Sequence, residues 1–359
     1  EPGGYPEKAG GIMIRILLVD DSPLALHIIQ RLLARAPDMQ VVGTAQNGRE
    51  ALPMVTALRP DVICLDLNMP VMSGLEFTRL IMATTPVPIL VVSVAVEPGM
   101  PGVFDLLKAG AVDVLPKPTI LQVNDEKLAA DLLAKVRLVA GVKVFRRGQL
   151  PAGQSALGHP LPQASARIAV IGASTGGPEA YRQILSALPA RFSLPLVCVQ
   201  HIGREFLAEM IAWLGIATAL KVDQAASGEL PRPGNAYFAP PDTHLEFDRG
   251  GRFLLSHTPP LEGHRPSVTV TMNSAAGQYG SSAVGVLLTG MGRDGAAGMA
   301  SIVKAKGITI AQDEATSVVY GMPAAAVALG AAQHVLPLGQ IARALQGLAA
   351  GHGKAVEAK

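Results

Sequence analysis

Three residues that together could perform nucleophilic catalysis, Ser174, His201 and Asp294, each follow an apolar run of β-strand character. Ser174 lies in Ile171-Gly-Ala-Ser-Thr-Gly-Gly177, between the run Ile168–Ile171 and a helical pattern over Glu179–Leu188 in which Tyr181, Ile184, Leu185 and Leu188 share one face. His201 ends Pro195–Gln200, and Asp294 lies just beyond Ser282–Leu288 in Thr289-Gly-Met-Gly-Arg-Asp-Gly295. A serine, a histidine to take its proton and a carboxylate to orient the histidine make up the inventory for acyl transfer. The same glycine-rich turn into a helix also suits a bound phosphate, because free N–H groups at a helix N-terminus favour any negative charge.

Two observations weaken the phosphate reading. A dinucleotide-binding second strand should end in Asp or Glu for the ribose, and here it ends in Gln200-His201. A Walker-type loop needs Gly-Lys-Ser/Thr, and no lysine stands near. Gly172-Ala-Ser-Thr-Gly176 does match the G-x-S-x-G elbow, but the lipase-like order is Ser, acid, His, whereas the order here is Ser, His, Asp. A lipase-like esterase is therefore the second enzyme reading, and a helix-capping Ser174, a strand-end His201 and a turn Asp294 are the structural alternatives.

A second set of chemistry-bearing residues lies nearer the start. Asp20 and Asp21 follow one apolar run and Asp66 another; Ser93 and Lys117 follow two more. In an open parallel sheet all strand C-termini share one edge. Carboxylates converging there repel unless a cation sits among them, and oxygen donors suit Mg²⁺. Such a site could direct a phosphoryl group to a carboxylate, with Ser93 and Lys117 on its oxygens.

The elements that must position these groups read as two α/β domains. Strand-like runs Arg15–Val19, Val41–Ala45, Val62–Leu65, Ile89–Val92 and Val112–Leu115 alternate with helical patterns at Pro23–Ala36, Gly48–Leu58 and Gly74–Ala83, with a last helix near Asp125–Leu138. A Gly/Pro/Ser/Gln-rich stretch follows, and strand–helix alternation resumes at Arg167 and runs to Leu348. The expected division is a disordered leader 1–12, with Met13 as a plausible start, a domain 13–138, a flexible linker 139–166, a catalytic domain 167–348 and a frayed tail 349–359.

Composition supports this. Apolar residues make up 49% and charged ones 16%, against disorder; a net charge of +2 and 4% aromatics tell against nucleic acid. No apolar run reaches the roughly 18 residues of a membrane span, and the start lacks a signal peptide's apolar core. Cys64 and Cys198 fall inside apolar runs, as buried reduced thiols of a cytoplasmic protein would.

Residues from Ile14 to about Ala140 closely resemble the response-regulator receiver domain, through Val-Asp-Asp-Ser-Pro, Leu-Asp-Leu-Asn-Met-Pro-Val-Met-Ser-Gly and Leu-Pro-Lys-Pro. The resemblance implies a flavodoxin-like (βα)5 fold, Asp66 as phosphoacceptor, Asp21, Asp66 and the Asn68 carbonyl around Mg²⁺ with Asp20 in the same acidic pocket, and Ser93 and Lys117 as switch contacts. Val114 stands where many receivers carry an aromatic switch residue, which puts an aromatic-rotamer readout in question. Residues from about Ile168 to Leu338 resemble the chemotaxis protein-glutamate methylesterases of the CheB family. The resemblance runs through Ile171-Gly-Ala-Ser-Thr-Gly-Gly-Pro-Glu-Ala, Val199-Gln-His, Ala239-Pro-Pro-Asp-Thr-His, His264-Arg-Pro-Ser-Val, Leu287-Leu-Thr-Gly-Met-Gly-Arg-Asp-Gly-Ala-Ala-Gly-Met and Ala311-Gln-Asp-Glu-Ala-Thr-Ser-Val-Val-Tyr-Gly-Met-Pro.

It implies a doubly wound parallel-sheet esterase that hydrolyses glutamate methyl esters on chemoreceptors and deamidates receptor glutamines. Ser174 would be nucleophile, His201 base and Asp294 its orienter. Thr175, Gly176 and Met291 are the candidates for the oxyanion site, and Arg265 and Tyr320 either shape the groove or pack. No prolines follow His201 in Ile202-Gly-Arg-Glu-Phe206, a departure on the receptor-contacting side. A chemotaxis histidine kinase would donate the phosphoryl group and chemoreceptors would be the substrate. The chain is expected to be monomeric and cytoplasmic, without nucleic-acid partners or membrane insertion, and ester hydrolysis to need no cofactor. The linker would let the receiver cover the cleft until phosphorylated. A receiver joined to a non-catalytic, esterase-like binding module, or an esterase acting on another substrate, is the alternative.

Overall fold

The computed structural model describes residues 13–94, 102–122, 124–144 and 166–356, with side chains through 349. The expected leader and most of the expected linker lie outside the described residues. The chain divides into two compact units, one holding the described residues up to 144 and the other those from 166 onward.

The first unit is a (βα)5 sheet. Its strands are β1 (Ile14–Val19), β2 (Met39–Ala45), β3 (Val62–Leu65), β4 (Ile89–Ser93) and β5 (Asp113–Pro116), all parallel in the order β2-β1-β3-β4-β5. Helices α1 (Pro23–Leu33), α2 (Gly48–Leu58), α3 (Gly74–Thr84), α4 (Val103–Ala109) and α5 (Glu126–Ala140) alternate with them. Ser22 caps α1 by accepting from the Ala25 N–H, with Pro23 in the first turn, and Ser73 and Glu76 form a capping box on α3. The pattern predicts α1 through Ala36, but it ends at Leu33; Pro37 disfavours helical backbone at the residue before it. The apolar stripes of α1 and α5, including Ile29, Leu32, Leu132 and Val136, bury on Ile16, Leu18, Cys64 and Leu90.

The second unit is a seven-stranded parallel sheet in the order β14-β13-β12-β6-β7-β9-β8. In chain order it comprises β6 (Ile168–Ala173), α6 (Gly177–Ser186), β7 (Leu196–Gln200), α7 (Leu207–Ala217), β8 (Lys221–Gln224), β9 (Asn235–Phe238), β10 (His244–Phe247), β11 (Phe253–Ser256), α8 (Val268–Tyr279), β12 (Ala283–Leu287), α9 (Ala296–Lys304), β13 (Ile308–Gln312), α10 (Met322–Ala328), β14 (His334–Leu336) and α11 (Leu338–Val356). Strand order reverses between β6 and β12, the switch point where ligands of doubly wound sheets bind.

Two expectations need correction here. Strand–helix alternation is broken over β8 to β11, where four strands follow without a helix and β10 and β11 pair as an antiparallel hairpin. The turn sequences Pro231-Arg-Pro-Gly234 and Asp248-Arg-Gly-Gly251 leave no room for helices between those strands. The expected tail from 349 begins as helix, because α11 continues to Val356. Ile341, Leu345, Leu348 and Ala349 are all buried, so the packed face of the helix runs across the expected boundary at 348. Both cysteines are free and buried, and burial pushes the Cys64 thiol up to about 12 and Cys198 higher still, which disfavours the thiolate in each.

Candidate active site

Strands β6, β7 and β12 are parallel neighbours, so the loops after them emerge on one edge. Ser174 directly follows β6 and is buried to 8% exposure. Its N–H donates to the Thr289 carbonyl after β12, and the His201 N–H after β7 donates to the Ala173 carbonyl. The three expected triad positions thus come together by backbone hydrogen bonds between strand ends. Gly176 turns the chain into α6 with φ of 78°, and a Cβ there would lie 2.7 Å from the Val318 Cβ. Only glycine meets both conditions.

The Asp294 carboxylate is 3% exposed and accepts four hydrogen bonds. Oδ2 accepts from His201 Nε2 at 2.9 Å and from the Val268 N–H at 2.7 Å. Oδ1 accepts from Ser267 Oγ at 2.8 Å and from the Thr269 N–H at 2.9 Å. Asp294 therefore sits on the N-terminus of α8, where the free N–H groups and the helix dipole favour an anion. Burial opposes its charge, but His201 and Thr269 outweigh burial and hold the carboxyl well below the ordinary carboxylate range.

Because an ionised Asp294 only accepts, Nε2 of His201 carries the proton in the neutral ring and Nδ1 keeps the lone pair. That Nδ1 is buried and makes no hydrogen bond among the described residues. Ser174 Oγ likewise makes none among them, so the structure joins His201 to Asp294 directly, whereas the side chains of Ser174 and His201 make no hydrogen bond to each other. Catalytic hydrogen bonds often tighten only when substrate is bound.

The N–H groups of Gly176 and Met291 donate to nothing among the described residues, whereas the Ser174 N–H is committed to Thr289. The Thr175 carbonyl accepts from Thr289 Oγ1, which also accepts from the Val319 N–H. This ties the serine turn to the Met291 loop and to the segment before α10. Tyr320 forms an isolated bridge with Gly290, and Arg265 donates to the His257 and Thr258 carbonyls, bracing the loop before α8.

Sequence reasoning did not find His264, Ser267, Thr269 or Gln200 as parts of the site. The His264 ring stacks on His201 with centroids 4.0 Å apart and planes 1° from parallel. Burial, then the charge of His201, lower its pKa from the ordinary value. The motif His264-Arg-Pro-Ser-Val was visible, but nothing local says that its first residue lies on the base. His244, a fully buried histidine near α8, has Nε2 against the Pro259 carbonyl and Nδ1 accepting from the Ser267 N–H, a satisfied structural residue.

Residues 169–345 match the family model described as CheB methylesterase, and residues 16–133 match the response regulator receiver domain. The protein-glutamate methylesterase/protein-glutamine glutaminase of Nitrosospira multiformis is 42% identical over 350 residues, covering 95% of this chain and 99% of its own. The protein-glutamate methylesterase/protein-glutamine glutaminase 2 of Anaeromyxobacter dehalogenans is 44% identical over 337 residues, covering 93% of this chain and 97% of its own. The chain belongs to the CheB methylesterase family. The crystal structure of the Thermotoga maritima CheB methylesterase catalytic domain, 38% identical, covers 52% of this chain and all of that one with a TM-score of 0.50.

In this CheB-family chain the receiver edge carries its own cluster. Asp20, Asp21 and Asp66 bring carboxylate oxygens within 4.8 Å of one another. Asp66, buried after β3, accepts from Ser93 Oγ at 2.6 Å, from Lys117 Nζ at 2.7 Å and from the Leu67 N–H. Lys117 also reaches Asp20 at 2.8 Å. Burial raises the Asp20 pKa against the pull of Lys117; burial pulls Lys117 down, but its hydrogen bonds to and charge attraction by Asp20 and Asp66 together outweigh that and leave it raised. Asn68 is exposed two residues beyond Asp66, and Val114 is buried in β5. The all-oxygen donor set with one exposed member, Asp21, fits Mg²⁺ with room for water. Among the described residues no helix is long and apolar enough to cross a membrane.

Proposed function

We propose that Ser174, His201 and Asp294 form the triad with which this chain hydrolyses glutamate methyl esters, and deamidates glutamines, on the cytoplasmic helices of chemoreceptors. Curated relatives sharing nearly the whole chain are named for those two activities. The observation that carries the assignment of residues is the His201–Asp294 pair at 2.9 Å, which leaves a basic Nδ1 at the strand end next to Ser174.

Ser174 Oγ attacks the ester carbonyl while His201 Nδ1 takes its proton. The tetrahedral oxyanion is held by backbone N–H groups of the Thr175–Gly176 turn and of Met291. His201 returns the proton to the leaving oxygen and methanol departs; for a glutamine, ammonia departs. Water, deprotonated by His201, then cleaves the acyl-serine and frees glutamate. Asp294 holds the ring in one tautomer and stabilises the imidazolium. No group outside this chain and water is needed for these steps.

The receiver half makes the enzyme phosphorylation-regulated. Asp66 accepts the phosphoryl group from a chemotaxis histidine kinase, and Ser93 and Lys117 move from Asp66 to the phosphoryl oxygens. Asp21, Asp66 and the Asn68 carbonyl, with Asp20 beside them, would hold Mg²⁺, which would supply positive charge to offset that of the phosphoryl group.

The test is methanol release from methyl-labelled receptor membranes, with and without Mg²⁺ and a small phosphodonor. Release should rise with phosphodonor and fall on the order of 10⁶-fold in Ser174→Ala. Release that persists in that variant would remove Ser174 as the nucleophile.

A further inference from the structure

Gln200, the last residue of β7, is 6% exposed, and its carboxamide lies between the loops of the nucleophile and the base. Nε2 donates one hydrogen to the Ser174 carbonyl at 2.8 Å and the other to the His201 carbonyl at 2.9 Å. Oε1 is buried and accepts nothing among the described residues. Room for it comes from the first residue of α6: a Cβ on Gly177 would stand 2.0 Å from Oε1.

These contacts are oddly distributed for a residue kept for stability. The Ser174 carbonyl already accepts from the Gly177 N–H at 2.8 Å, so it does not need Gln200 to be satisfied. The orphaned Oε1 costs stability, because a buried acceptor without a donor loses its hydration. What the carboxamide uniquely does is pin two carbonyls from different strand ends to one rigid plane. Those carbonyls belong to the residues whose side chains must exchange a proton, and neither side chain is hydrogen-bonded to the other in the resting site.

We propose that Gln200 is a positioning residue that sets the spacing of Ser174 and His201 for proton transfer, a role that rests on the esterase reading above. It touches neither substrate nor reacting atoms. Its two N–H groups hold the main chain on both sides, and the absence of a Cβ at Gly177 leaves the space that the carboxamide oxygen occupies.

Two variants of the full-length chain separate this from packing. Gln200→Met fills the same space without donors or the orphaned acceptor, and Gln200→Glu keeps the shape but presents carboxylate oxygens to both carbonyls. Both should lower kcat for methanol release on the order of 10- to 100-fold, the scale of misplacing reacting groups by about 1 Å, with KM near wild type. The melting temperature of Gln200→Met should hold or rise. A Met variant with kcat within about twofold of wild type, or kcat losses that merely track lost folded protein in both variants, would overturn the proposal. If Gln200→Met does not fold, Gln200→Glu decides by the same kcat and KM criterion. Ser174→Ala run alongside reads the esterase assignment separately: undiminished release there removes that assignment and this one together, whereas full activity in the Gln200 variants alone removes only this one.

Discussion

Asp294 concentrates the chemistry of the site in one side chain, because all four of its hydrogen bonds favour the ionised form. Asp294→Asn would turn one of those acceptors into a donor and press His201 toward the other tautomer, with its proton on Nδ1. The expected loss in kcat is about 10⁴-fold with little change in KM, the size that the same swap costs in protease triads; steady-state methanol release checks it. The carboxyl lies below its ordinary range in the folded chain, so its contribution to stability is present above about pH 4 and is lost as pH falls toward its folded value. His264 has the opposite charge logic but the same direction. Its folded pKa is below the ordinary 6.5, so the unfolded chain takes up that proton first. Stability should therefore fall as pH drops below about 6.5, and His264→Phe, which keeps a stacked ring, should flatten that part of the profile. The groups facing His264 in this titration are His201, Asp294 and Glu262, and thermal melts from pH 5 to 8 would measure it.

Helix α8 is the element that binds the site together, although it carries none of the three proposed triad residues. Its cap, Ser267, accepts from the Val270 N–H at 3.4 Å and donates to Asp294, so one hydroxyl serves both the helix and the carboxylate. Ser267→Ala should cost about 1 kcal/mol as a lost cap and lower kcat by weakening the hold on Asp294, read from denaturant melts and methanol release. The turn from β6 into α6 has the stricter requirement. Gly176→Ala would force a side chain into a left-handed conformation against Val318. The expected result is a loss of at least about 1 kcal/mol together with loss of activity, since the Gly176 N–H moves with the turn.

At the scale of the whole chain, two parallel sheets each gather their chemistry at the C-terminal edge. The separate chemistries predict separable responses. Asp66→Asn should abolish the increase in methanol release on adding phosphodonor, while Ser174→Ala should abolish release itself. Chelating Mg²⁺ should likewise remove the phosphodonor effect and leave unstimulated release in place, because the proposed ester mechanism uses only side chains, backbone N–H groups and water; the same assay with EDTA checks it.

What sequence alone determined was the set of strand ends and what stands on them. Ser174, His201, Asp66 and Lys117 each terminate an apolar run, and a buried parallel strand is legible because it is short, apolar and followed by small or polar residues. The order in which strands lie side by side was not legible. It took the tertiary structure to put β12 beside β6 and so bring Asp294 to His201 across 93 residues of chain. The same holds for His264 on His201, Gln200 between two loops, and α8 under Asp294. Local periodicity reports which face of an element is buried. Which elements meet is decided by long-range packing of the whole sheet, and no short window of sequence carries that information.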